Sequence, residues 1–342
     1  MFDDEVHITD RYPTREIDRR LTCENARAMP CTPLPTAVEL VVALLSMLVI
    51  LAVGASARYV GLFTPSRREV VNAIAYYIAL PALVFSATAA QPLSDIVSTR
   101  LVVGVSVAML ATIAIAWLVH QRESDVGVRS VATVQSYHSN FGYLGIPVVA
   151  MSFGDLATAR AGLILGVGSL IQIAATVTVL STLTGAAASI REEVRNVLLN
   201  PVILTLLLGL SVSAAGLTVP STPATVIERI GDTALPLALL VVGATFTVQA
   251  GTIRYRTLVT VIAVKILVMP AVALAVFLLV GADAATVRAG VVMFAMPTAV
   301  STYVFAVELG GNRHVASLNV VATTVVSIAS LLLVVELLTA LM

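Results

Sequence analysis

Ser136-Tyr137-His138-Ser139-Asn140-Phe141-Gly142-Tyr143-Leu144-Gly145-Ile146-Pro147 is the stretch that decides the fold. It lies inside an apolar segment, 128–150, yet holds glycines, a proline and a cluster of polar side chains. A proline within a helix removes a backbone hydrogen bond and clashes with the preceding turn. In lipid the freed groups need protein partners or a watery cavity. The C-terminal half repeats this character within 285–307, at Met293-Phe294-Ala295-Met296-Pro297-Thr298-Ala299-Val300-Ser301-Thr302-Tyr303. Two interrupted, polar spans in equivalent positions mark a transporter's binding site. Half-helix N-termini present free N–H groups and a partial positive charge, which suit an anion. Unwound carbonyls could hold a cation or a hydroxyl.

Working outward, the 342 residues are 58% hydrophobic and 12% charged, with mean hydropathy +0.98 and zero net charge. A soluble domain carries about 25% charge. This chain cannot cover a water-facing surface, which excludes a soluble enzyme, a nucleic-acid binder and a disordered protein. Twelve of the 40 charges fall in residues 1–36, a polar tail without the apolar run of a signal peptide. The tail reads as a disordered extension, or as the product of a start upstream of Met29. Its Cys23 and Cys31 form no disulfide framework or common zinc pattern. No metal site or cofactor is expected.

A spanning helix needs roughly 20 apolar residues. Ten candidates follow the tail: 37–57, 69–90, 99–120, 128–150, 156–183, 197–216, 224–249, 257–280, 285–307 and 314–340. The longest polar joint is 184–196, so the expected units are 37–183 and 197–342. These halves match at an offset of 155–156: Gly61 and Pro65 with Gly216 and Pro220, Pro81 with Pro236, Arg100 with Arg256, Ala150 and Gly154 with Ala306 and Gly310. A near-constant offset signals a duplicated unit. Five spans per unit flip the second copy, giving an all-α membrane protein of two inverted five-helix repeats, with spans 4 and 9 broken.

Joints after odd spans hold ten Arg (58, 67, 68, 122, 129, 191, 195, 254, 256 and 313); joints after even spans hold four (100, 160, 229 and 288). Positive charge stays inside. Odd joints therefore face the cytoplasm of a cell-membrane protein, and both termini face out.

The same residues resemble the auxin efflux carrier family, within the wider group that includes bile-acid sodium symporters. The resemblance rests on Asn140-x4-Gly145-Ile146-Pro147-x6-Gly154 and on Pro297-x5-Tyr303-Val304-Phe305-Ala306-x-Glu308. Asn72-x8-Pro81, Asn200-Pro201-x7-Gly209 and Pro236-x2-Leu239-x3-Gly243 also fit. It covers residues 37–342. It implies that helices 4 and 9 cross beside the substrate, elevator-like alternating access, and transport of small organic anions, typically carboxylates. Asn140 carries over as a substrate contact, with Pro147 and Pro297 at the crossing. Around them the candidate binding set is His138, Phe141, Gly142, Gly145, Thr298, Ala299 and Ser301. The long central loop of the plant members is absent here, and with it regulation through such a loop.

Two charges inside the spans stand apart. Lys265 is the chain's lone lysine, in span 8. A charge at mid-bilayer costs roughly 2.5–3.5 kcal/mol, so it faces protein or water, attracting an anion or pairing structurally. Asp232 reads as a helix cap, a proton-coupling carboxylate or the partner of Lys265. His138 is a titratable candidate or a hydrogen-bonded structural histidine. The rival functions are a sodium-coupled symporter of the bile-acid type and a membrane receptor on a transporter fold. An intramembrane enzyme finds no motif. The expected partners are a small organic anion and the lipid bilayer, with a homodimer left open.

Overall fold

A computed structural model describes residues 37–245 and 253–342. The tail with its two cysteines, and 246–249 of the seventh expected span, lie outside the described residues. Among the described residues the chain is helical, with one isolated antiparallel bridge and no strand. The helices are α1 (Ala37–Tyr59), α2 (Pro65–Ala89), α3 (Thr99–His120), α4 (Val126–Tyr137), α5 (Phe141–Thr184), α6 (Ile190–Leu198) and α7 (Pro201–Ala214). They continue as α8 (Ser221–Asp232), α9 (Ala234–Thr245), α10 (Tyr255–Leu279), α11 (Ala284–Ala295), α12 (Ser301–Glu308) and α13 (Arg313–Leu341). Among the described residues five runs are long and apolar enough to cross a membrane: α2, Leu93–His120 with α3, α5, α10 and α13. The α6–α7 pair, bent by 49°, makes a further one.

Short polar side chains start the helices. Thr64, Asp125, Ser189, Asn200, Asp283 and Asn312 each accept a hydrogen bond from a first-turn N–H, satisfying groups the helix itself leaves open. Prolines act differently from the expected break. The helix widens into a π-turn at Ala75–Ala79, Phe141–Gly145 and Val264–Val268, two residues before Pro81, Pro147 and Pro270 respectively. The wider turn relieves the clash of the proline ring with the carbonyl four residues back and absorbs its missing N–H. Pro236 instead follows a true interruption, at Thr233 between α8 and α9.

The 44 residues of α5 would run about 66 Å as one rod, twice the hydrocarbon thickness. The chain turns at Gly154, whose φ of 72° is open to glycine and costly for other residues. It thus has two limbs, 141–153 and 155–184.

Glycine lets backbones touch. A Cβ on Gly54 of α1 would meet the Leu240 carbonyl oxygen at 2.3 Å, and one on Gly243 of α9 the Leu51 oxygen at 2.1 Å. Gly209 of α7 lies on Thr88, and Gly231 of α8 on Leu83, so α1, α2, α7, α8 and α9 pack together through small residues. A second group, α3, α4, α5, α10, α11 and α13, packs around aromatic rings. Phe277 is wedged against Gly104 of α3 and Gly290 of α11, and Phe141 against Gly168.

Candidate substrate site

Two helices stop inside the second group. α4 ends at Tyr137, and His138-Ser139-Asn140 runs non-helically into α5. α11 ends at Ala295, and 296–300 leads to α12. Pro297 explains the second break, since it holds the preceding Met296 in an extended conformation (ψ 148°). The first break has no proline. Asn140 makes it by capping α5 through Oδ1, which accepts from Tyr143 N at 3.3 Å.

The two breaks pair. Ser139 and Thr298 form an antiparallel bridge, in which Asn140 N donates to Pro297 O (2.9 Å) and Ala299 N to His138 O (3.1 Å). Amides seal the backbone groups left over. Gln172 Oε1 accepts from Ser139 N (3.1 Å), while its Nε2 donates to Ser139 O (3.3 Å). Gln135 donates to Thr302 Oγ1 and Ala316 O, both at 3.0 Å, and accepts from Asn319 Nδ2 at 2.9 Å. Thr298 Oγ1 donates to Gln135 O (2.7 Å). Lys265, wholly buried, reaches this knot from α10, donating to Ser139 Oγ and contacting Met269 Sδ at 2.9 Å.

On the other side of the break lies a cleft of about 220 Å³, lined by Asn72, Asn140, Tyr143, Val241, Val242, Thr245, Ala299, Val300 and Ser301. It thus sits at the N-termini of both half-helices. Tyr143 OH donates to Asn72 Oδ1 at 2.7 Å, which joins Asn72, Tyr143 and Asn140 in one chain.

Of the expected residues, Asn140, Ala299 and Ser301 line the cleft, and Pro297 lends its carbonyl to the bridge. His138, Phe141, Gly145 and Thr298 are turned into the core: His138 Nδ1 meets Thr176 Oγ1 at 2.8 Å, and Phe141 packs on Phe294. Gly142 is half-buried in the π-turn. Pro147 lies seven residues past the break, not in it, because the π-turn accommodates it inside a continuing helix. Asp232 and Lys265 form no ion pair: Asp232 is exposed at the end of α8, while Lys265 is buried against Ser139. Lys265 lies behind the break rather than in the cleft.

Several residues escaped the sequence reading. Gln135, Gln172, Thr176 and Asn319 hold the breaks together, and their signal was an amide or hydroxyl within an apolar span. Arg160, counted only as a joint charge, is buried; it pairs with Asp283 at the start of α11 and donates to Thr286 Oγ1 (3.0 Å) and Asp95 O (2.9 Å from Nε). Desolvation raises the Asp283 pKa, but the Arg160 guanidinium and the Thr286 hydrogen bonds outweigh it and hold the carboxyl below its ordinary value.

A family model described as membrane transport protein matches residues 38–193 and 187–335. The chain belongs to this family of membrane transporters. It is the auxin efflux carrier family that the motifs resemble. Among relatives, an "Uncharacterized transporter" of Methanothermobacter thermautotrophicus is 24% identical over 84% of this chain and 94% of its own. A "Putative malonate transporter" of Rhizobium meliloti is 23% identical over 76% of this chain and 83% of its own. The transporter is thus a multi-pass membrane protein whose matched relatives align along most of their length.

Proposed function

We propose that this transporter carries small organic anions, with a carboxylate bound in the Asn140 cleft. The observation that carries the reading is the position of the cleft, at the N-termini of both half-helices. There the dipoles and first-turn N–H groups favour negative charge. Asn140 commits Oδ1 to its cap, so its Nδ2 is left to donate to a ligand, and the Ser301 hydroxyl adds a second donor. Lys265 places an amino group, a further hydrogen-bond donor, behind the same break. A relative named for malonate transport agrees with a carboxylate cargo.

The chain reads as ten spans in two inverted repeats, supported by the offset of 155–156 and by a break in each half. The cleft wall comes from both helix groups: Asn72, Val241, Val242 and Thr245 from the glycine-packed one, the rest from the group holding the breaks. Sliding of the second group against the first would carry the bound anion across the membrane, an elevator-type cycle. By the arginine bias, the face bearing Arg58, Arg67 and Arg68 is cytoplasmic.

The test is solid-supported-membrane electrophysiology on the reconstituted protein, with jumps of mono- and dicarboxylates, with and without sodium and a pH step. The expected result is a saturable, sodium-independent current that Asn140→Ala abolishes. A current that requires sodium would move the assignment to a symporter of the bile-acid type.

A further inference from the structure

A separate cavity of about 410 Å³ opens where the end of α3 meets the first turns of α10, and its wall includes Val119, His120, Arg122, Glu123 and Arg256. Glu123 is already engaged: its carboxylate accepts from Arg254 Nη1 and Thr257 Oγ1, both at 3.4 Å. Arg254 also donates to Asp125 Oδ2 at 2.8 Å, so this clasp ties α10 to the joint between α3 and α4. Arg122 and Arg256 have no such partner. Neither guanidinium makes a hydrogen bond or ion pair among the described residues.

The opposite end of the same helix pair shows what an arginine in this position can do instead. At an offset of 156, Arg100 at the start of α3 corresponds to Arg256 at the start of α10. Arg100 Nη1 donates to Gly281 O, just past the end of α10, at 2.8 Å and closes that junction. Arg256 makes no matching bond to the end of α3, and the cavity stands in its place. Two unpaired guanidiniums and one paired carboxylate leave the wall net positive. A guanidinium holds a phosphate through parallel N–H bonds, and basic pockets between membrane helices take lipid head groups.

Depth and surroundings favour a lipid over a soluble anion. Trp117, three residues before His120, lies half-buried under the Arg129 guanidinium (5.0 Å) and marks the interfacial level. Val119 is 43% exposed, and Leu118 and Val259, each next in sequence to a lining residue, are 59% and 61% exposed. Apolar surface thus runs from the cavity along α3 and α10, where acyl chains would lie. Deeper in, His120 is buried and bonded through Nε2 to Ser136 Oγ at 2.9 Å, on the last turn of α4. A head group held here would brace α3, α4 and α10 beside the first break.

We propose that this cavity binds an anionic phospholipid, with its phosphate between Arg122 and Arg256 and its chains along Val119 and Val259.

The experiment follows the Tm of the purified full chain in detergent as phosphatidylglycerol, phosphatidylcholine or inorganic phosphate is added. Phosphatidylglycerol should raise Tm saturably, as a ligand of the folded state does. Its half-saturating concentration should lie at least about tenfold below that of phosphatidylcholine, and inorganic phosphate at equal concentration should give no shift. The double variant Arg122→Gln/Arg256→Gln should raise the half-saturating phosphatidylglycerol concentration about tenfold or more, since each arginine near an anionic lipid surface contributes roughly fivefold. Arg191→Gln, at an exposed arginine of another joint, should stay within about twofold of wild type. A phosphatidylglycerol response that survives the double variant, or that falls equally in Arg191→Gln, overturns the site and leaves only topology charges. An equal shift by inorganic phosphate overturns the lipid assignment. If the double variant does not fold, each single variant is scored the same way, and native mass spectrometry of the wild type should retain phosphatidylglycerol over phosphatidylcholine; equal retention overturns the proposal.

Discussion

Asn140 does two things with one side chain, and they can be separated. Its Oδ1 caps α5, and its amide faces the cleft. Asn140→Asp keeps an acceptor for Tyr143 N, so the cap survives, but it sets a negative charge where the anion binds. The expected outcome is a protein with near-native Tm and no anion transport. Asn140→Ala loses the cap, worth about 1 kcal/mol, together with the contact. Wild-type uptake in both variants would remove Asn140 from the site. Lys265 poses the complementary question. Its amino group is buried, with no carboxylate paired to it among the described residues. A buried charge adds little or nothing to stability against an apolar residue of similar size. Lys265→Met should therefore leave Tm unchanged or raise it, while anion affinity falls about tenfold as the donor that orients Ser139 at the break goes. A lower Tm at unchanged affinity would make the lysine structural.

At the scale of elements, the junctions carry the specificity of the fold. A methyl group at Gly243 would sit 2.1 Å from the Leu51 carbonyl, and the backbone there cannot yield without parting α1 from α9. Overpacking of this kind costs about 1–3 kcal/mol, so Gly243→Ala should lower Tm by several degrees in detergent. Because Val241 and Val242 line the cleft, uptake should fall with it; an unchanged Tm would refute the close packing. The Arg160–Asp283 pair locks the start of α11 to α5. Its carboxyl is held below the ordinary 3.8 when folded, so the stabilisation is complete above that value and is lost as pH falls through the lowered one. The Tm gap between wild type and Asp283→Asn should be constant near neutral pH and narrow only as pH falls below 3.8; a gap that persists in strong acid would exclude the pair. The apolar runs, the polar interruptions and the part played by Pro297 were legible in the sequence, since each follows from local backbone chemistry. Pro147 misled, because a π-turn offers proline a second outcome that periodicity does not encode. The inward turn of His138 and Phe141, and the amide clasps of Gln135, Gln172 and Asn319, depend on partners 27 to 184 residues away. An amide within an apolar span marks the residue, but no local pattern names its partner.

At the scale of the whole molecule, the question is which face of the membrane is met by the chamber of about 550 Å³ that Arg58, Arg68, Glu69 and Asn72 line. Arg58, Arg67 and Arg68 belong to the joints that hold ten arginines against four, and Arg58 and Arg68 line the chamber. Positive charge retained in the cytoplasm would put the chamber mouth there, so the described conformation would load substrate from inside the cell. The native thiols, Cys23 and Cys31, both lie in the tail, and Cys23→Ser with Cys31→Ser gives a background free of cysteine. On that background Arg67→Cys and Arg191→Cys place exposed thiols on odd joints, and Arg229→Cys places one on an even joint. A membrane-impermeant maleimide applied to intact cells should label Arg229→Cys alone, and all three after permeabilisation. The reverse pattern would invert the molecule and carry the chamber mouth to the outer face. Labelling of all three in intact cells would contradict a single orientation, and with it the charge argument on which the direction of access rests.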